Sequence, residues 1–233
     1  MTKTGSSAET PRTRSDIPIV WLRLFVVLAL ALACSTALEV DEADAATAVK
    51  TKLWELQVEP AGSTTGYSRD KFSHWSDAQE NGWVLPSGTP DPASCDARDG
   101  ALMRDGRGAE QMGRYCAVIS GTWVDPYGGV TYTNPSDINV DHVVPLANAW
   151  RSGAASWATA KRESFANRPL GLLAVEDNLN ASKGDKGPEA WKPPRTAYHC
   201  AYATKWINVK HYWRLSVTSA EKSALSGMLS TCR

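Results

Sequence analysis

Two short stretches carry the side-chain types that metal-assisted, base-catalysed chemistry requires. Asp141-His142 lies in the apolar run Ile138 to Val144, which Pro145 closes. A carboxylate is a hard ligand for a divalent cation, and an imidazole that is neutral at pH 7 can act as a general base. Neighbours on a strand point to opposite faces, so these two reach one point only from a strand end or a turn. A core histidine bonded to a backbone carbonyl, beside a capping aspartate, is the alternative. The second stretch is Asn180-Ala181-Ser182-Lys183-Gly184-Asp185. Its polar residues read as opening a helix, where backbone N–H groups favour phosphate. Asn180 offers an amide oxygen to a cation and Lys183 an ammonium to a phosphate; plain helix capping is the alternative.

The elements that would position these residues follow from periodicity and turn chemistry. Residues 46–58 predict a helix with Val49, Leu53 and Leu56 on one side, ended by the Gly/Ser/Thr stretch Ala61 to Gly66. Gly82 to Pro92 is a surface loop. Ala117 to Val124 and Val130 to Thr133 predict two strands around the turn Asp125-Pro126-Tyr127-Gly128-Gly129. Ile138 to Val144 is a third strand, Leu146 to Phe165 a helical stretch broken near Gly153, and Leu172 to Val175 a short buried strand. From Arg195 to Trp213, Tyr198, Tyr202, Trp206, Val209 and Trp213 recur at three- and four-residue intervals. Thr218-Ser219-Ala220-Glu221 reads as a capping box for a last helix with Ala224, Leu225, Met228 and Leu229 inward.

Composition narrows the class. The 233 residues are 42% hydrophobic and 21% charged, with 25 basic and 25 acidic side chains, which excludes disorder, collagen and a polycation. Residues 1–45 differ from the rest: Lys3, Arg12, Arg14 and Arg23 precede an apolar run from Leu24 to Leu38, and Ala43-Asp44-Ala45 follows. A basic stretch, a short apolar core and an A-x-A site describe an export signal. An uncleaved anchor and a lipoprotein are the rivals, although the run is short for a span and Ala31 is a poor residue three before Cys34. The expected address is therefore outside the cell or at its surface. The remaining cysteines, Cys95, Cys116, Cys200 and Cys232, allow three pairings in an exported chain. Cys95–Cys116 with Cys200–Cys232 is favoured, because each pair brackets one compact segment.

In this order the pieces resemble the HNH endonucleases, the ββα-metal or His-Me finger class, and more closely exported bacterial members grouped with the C-terminal domain of the GmrSD restriction enzymes. The carrying residues are Asp141 to Leu146, Leu172 to Val175 and Asn180 through Asp185 to Trp191. Tyr67, Arg69, Phe72, His74 and Trp75, then Cys95-Asp96, Arg98-Asp99 and Gly121-Thr122-Trp123, extend the likeness. The resemblance implies an α+β fold: a ββα-metal core with flanking helices and two disulfides, occupying 67–233 after an N-terminal helix and linker at 46–66. It implies Asp141 and Asn180 as metal ligands, His142 as the base, and one divalent cation, Mg²⁺ or Mn²⁺. The expected substrate is a nucleic acid, DNA ahead of RNA, cut with little sequence preference, and the expected state is a monomer with no stable membrane partner beyond the export signal. Phosphodiester hydrolysis suits these residues, since it needs an activated water and a cation for the developing charge.

Several residues carry two readings each. Lys183 and Arg98 are the phosphate-binding candidates, Arg98 against a pairing with Asp96 or Asp99. His74 reads as a second acid/base or as a histidine packed under Trp75, and His199 and His211 as surface residues. Seven basic side chains against two acidic ones in residues 183–214, among aromatics, suit a polynucleotide backbone or a solvated helix face. The family often places a bracing Asn nine residues before the last ligand; that position here is Gly171, and neither Asn167 nor Asn178 is in register. A non-catalytic exported binding module is thus one rival. A hydrolase of another polymer is the other, but neither G-x-S-x-G nor H-E-x-x-H occurs.

Overall fold

The two-stranded ribbon that carries Asp141-His142 lies between two hydrophobic clusters. It is seen in a computed structural model that describes residues 1–2, 46–108 and 113–232, so the expected export signal at 1–45 falls almost wholly outside the described residues. Residues Ala46 to Arg233 form one unit. Strand β4 (Ile138–His142) pairs antiparallel with β5 (Leu172–Glu176), in the register Val140↔Ala174, Asp141↔Leu173 and His142↔Leu172. Alternation sends Ile138, Val140, Leu172 and Ala174 into one cluster, with α2 (Ala97–Asp105) and Trp123. Leu173 and Val175 enter the other, with Tyr127 and the C-terminal helices. Burial on both faces explains why Leu172-Leu173-Ala174-Val175 reads as an unbroken apolar run rather than an alternating one.

The larger cluster is built by the predicted helical stripes. Helix α1 (46–55) contributes Val49 and Leu53, with Leu56 just beyond its end. Helix α6 (His199–Trp213) buries Tyr202, Trp206, Val209 and Trp213, and α7 (Ser219–Leu229) buries Leu225, Met228 and Leu229. Thr218 and Glu221 form the expected capping box. Glu221 is also buried, and its carboxylate lies 2.9 Å from Lys210 Nζ. Two of the seven cations in 183–214, Lys183 and Lys210, are therefore interior ion-pair partners, and Tyr202 and Trp206 are core. The basic-aromatic surface expected there is correspondingly thinner.

Both favoured disulfides are present, Cys95–Cys116 and Cys200–Cys232. The second ties the start of α6 to the chain just after α7. The predicted strand 117–124 shortens to β2 (Thr122–Val124), paired with β1 (Gly106–Arg107) and β3 (Thr131–Tyr132). The helical stretch breaks at Gly153, where φ is +124°, into α3 (Leu146–Arg151) and α4 (Thr159–Asn167). Among the described residues no helix is long and apolar enough to cross a membrane.

Candidate active site

His142 is the last residue of β4, the strand end at which it and Asp141 can address one place. Both line a pocket of about 400 Å³, with Asn180 in its wall. Asn180 comes from α5 (Asp177–Lys183), and here the sequence expectation needs correcting. The helix opens at Asp177, capped by Glu176, whose carboxylate accepts from the N–H groups of Asn178 and Leu179. Asn180 to Lys183 are its later residues, so no helix N-terminus supplies N–H groups there. Gly184, at φ +52°, ends it.

Lys183 points inward. It is fully buried, and its Nζ donates to Asp141 Oδ1 at 2.8 Å and to the His142 carbonyl at 3.0 Å. The phosphate contact expected of Lys183 has no route to the ammonium. The other oxygen of Asp141, Oδ2, accepts from Tyr127 OH at 2.6 Å. Asp125 sets that tyrosine in place: its carboxylate caps the N–H of Tyr127, and its backbone closes the turn with Gly129 and Val130. Burial pulls the Lys183 ammonium down and pushes the Tyr127 phenol well up; Asp141 opposes the first effect and adds to the second. A tyrosine inside an Asp-Pro-Tyr-Gly-Gly turn gives no sequence signal of this role.

The second phosphate candidate, Arg98, lies on α2 away from the pocket. Its guanidinium makes a long 3.5 Å contact with the Ile138 carbonyl, and no salt bridge to Asp96 or Asp99 forms among the described residues. His199 and His211 contact the Pro193 carbonyl and Glu55, also away from the pocket. His74 packs edge-on against Trp75, with ring centroids 5.3 Å apart.

The imidazole of His142 is held on one edge and one face. Nε2 lies 2.8 Å from the Ala166 carbonyl. A carbonyl only accepts, so Nε2 carries the proton and Nδ1 keeps its lone pair. Trp75 stacks on the ring at 5.7 Å and 28°. Trp75 has a backbone φ of +64°, a left-handed conformation costly for a bulky residue. Asn167, fully buried, secures that loop: Nδ2 donates to the Ser73 carbonyl at 2.6 Å and Oδ1 accepts from Ser76 N–H at 3.0 Å. Asn167, the neighbour of the residue that binds His142, thus ties down the loop that carries Trp75. Asn178 instead donates to Glu176 beside it.

Burial pushes the His142 pKa down from 6.5 to about 4, with Arg69 and His74 adding to the depression and the Ala166 bond and Asp141 opposing it. The unfolded chain therefore takes up a proton in a pH range where the folded chain does not. Stability from this group is full above pH 6.5 and falls as pH drops toward 4, by about 1.4 kcal/mol per unit and about 3 kcal/mol in all. Urea unfolding across that window measures it. His142→Gln is expected to flatten that part of the profile, and an unchanged slope would assign the loss to other groups.

The donor set facing the pocket suits a hard divalent cation: the Asp141 carboxylate, the Asn180 amide and, further along the wall, Asp177. Each Asp141 oxygen keeps a lone pair beyond its one hydrogen bond. No hydrogen bond engages the Asn180 side chain among the described residues, and none of their His, Cys, Asp and Glu groups forms a cluster of three able to hold a metal. Such an ion would complete its shell with water and substrate.

These residues fall within the segment that known proteins share. The family of GmrSD restriction endonucleases, C-terminal domain, matches residues 98–228, which include Asp141, His142, Asn167 and Asn180. Over 180 residues the chain is 53% identical to a protein of Arthroderma benhamiae named "Uncharacterized secreted protein", covering 76% of this chain and 81% of that one. No solved structure matches. With more than half its length in the family pattern, and Asp141, His142 and Asn180 inside it, this chain belongs to the GmrSD restriction endonuclease C-terminal domain family.

Proposed function

We propose that this protein is an exported, metal-dependent HNH endonuclease that hydrolyses phosphodiester bonds of DNA or RNA with little sequence preference. The observation that carries the reading is the hold on His142: with Nε2–H committed to the Ala166 carbonyl, Nδ1 is the nitrogen that accepts a proton. Burial holds the imidazole neutral at working pH, the state in which Nδ1 offers its lone pair to a proton of water. Asp141 and Asn180 would hold one Mg²⁺ or Mn²⁺, which supplies Lewis-acid stabilisation of phosphate charge when bound. Asn167 and Trp75 fix the plane of the imidazole, and Lys183 and Tyr127 fix the carboxylate. The leaving oxygen is the 3′-oxygen, so the product carries a 5′-phosphate, as the family resemblance implies. Export through residues 1–45 agrees with two disulfides, which persist in oxidising compartments, and with a relative named as secreted.

One observation favours the rival, a binding module of the same fold: the Asp141 carboxylate is already neutralised by Lys183. A single experiment separates the two. Supercoiled plasmid and single-stranded RNA are incubated with the purified protein and Mg²⁺ or Mn²⁺, with and without EDTA, while unfolding is followed in parallel. The nuclease cuts at least one polymer only with metal, and the metal raises its stability, by about 2.7 kcal/mol at a hundredfold excess over the dissociation constant. Neither cutting nor stabilisation with any divalent ion leaves the binding module standing.

A further inference from the structure

With Lys183 buried and Arg98 elsewhere, the pocket still needs a partner for an anionic backbone. Its wall contains Asp141, Asp177 and Asp185, which repel a phosphodiester. Arg69 is the one cationic side chain lining it among the described residues. It sits in the short 3₁₀ turn Arg69–Lys71 and is exposed. Nε lies 3.4 Å from His74 Nε2, whose ring is oriented by a bond from Nδ1 to the Phe72 carbonyl at 3.1 Å. His74 in turn packs edge-on against His142, centroids 6.5 Å apart. Among the described residues no carboxylate lies within ion-pair distance of Arg69, whereas the nearby Arg151 is spent on Asp185 at 3.3 Å.

We infer that Arg69 is the phosphate-binding residue of this pocket, its Nη pair presenting a two-pronged donor to the non-bridging oxygens of the phosphodiester beside His142. The geometry suits a guanidinium: Nε is occupied by His74, and the remaining edge matches two phosphate oxygens in one plane. The inference rests on the nuclease reading and names how that site takes its substrate.

The test is cleavage kinetics of the full protein, as wild type, Arg69→Gln and Arg69→Lys, over a series of salt concentrations. Arg69→Gln is expected to lose about 10- to 100-fold in kcat/KM with an unchanged melting temperature, since the residue is exposed. Its plot of log kcat/KM against log salt should also flatten by about one unit of slope, the signature of one lost phosphate contact. Arg69→Lys keeps the wild-type slope and recovers part of the rate. If Arg69→Gln matches wild type in rate and slope, or loses rate with the slope unchanged, Arg69 is not the phosphate ligand and the nuclease reading survives. A wild-type chain that cuts no polynucleotide removes both.

Discussion

Replacing His142 by alanine is expected to slow polynucleotide cleavage by about 10²–10⁴-fold, the usual contribution of a positioned general base. The size follows from how little freedom the ring has. Its protonated nitrogen is committed to the Ala166 carbonyl, one face is covered by Trp75, and burial keeps it neutral. No other imidazole takes over, because both ring nitrogens of His74 are engaged by Phe72 and Arg69. Alanine also leaves space under Trp75, so His142→Gln, which fills more of it, separates loss of the base from loss of packing. Both variants should show this slowing while their metal-induced stabilisation persists, since the proposed ligands are untouched. A variant that cuts at the wild-type rate would strip His142 of its role.

The second large effect concerns stability. Lys183→Met is expected to cost about 3–5 kcal/mol, because it leaves the Asp141 carboxylate buried beside an apolar group. The ammonium makes two short bonds, to Oδ1 of Asp141 and to the His142 carbonyl, and both ends of the pair are almost wholly removed from solvent. Tyr127→Phe removes a single hydrogen bond to a charged acceptor and should cost less, about 1.5–3 kcal/mol. The decisive comparison is the double variant Asp141→Leu with Lys183→Met. Replacing both charges by apolar groups should restore much of the stability lost in Lys183→Met. Urea unfolding of the single and double variants measures this; a double variant no more stable than Lys183→Met would show that the pair does not act as a unit.

Much of the fold is legible along the chain, because apolar side chains recur where a face is buried. Val49, Leu53 and Leu56, and the aromatic stripe of α6, lie in the core as their spacing predicts. Both disulfides follow from bracketing. Asp141 and His142 share a pocket with Asn180, as the family likeness implies. What escapes is the partner of a polar side chain. Nothing in Asn-Ala-Ser-Lys distinguishes a lysine that turns outward to phosphate from one that reaches a carboxylate 42 positions earlier. The start of α5 is also hidden, because its cap, Glu176, ends a strand and reads as loop. Helix α2 escapes for a related reason: its capping box is Asp96 with Asp99, and Gly100 breaks the apolar pattern. Counting back from Asn180 lands on Gly171, whereas Asn167, at the end of α4, ties down the separate loop that carries Trp75, a contact that spacing does not reveal.

The ribbon formed by β4 and β5 leans on two separate interiors, one behind each face, and Asp141 and His142 are its last neighbouring pair. The carboxylate meets Tyr127 of one interior, whereas the imidazole lies on Trp75, which packs on the other, and is tied back to the first through Ala166. Loosening the side of Trp75 frees one face of the imidazole, and loosening the other disturbs the supports of both reacting groups. The alignment of base and ligand is a comparison between two halves of the molecule, and drift in the sequence of either half registers at the same few ångströms.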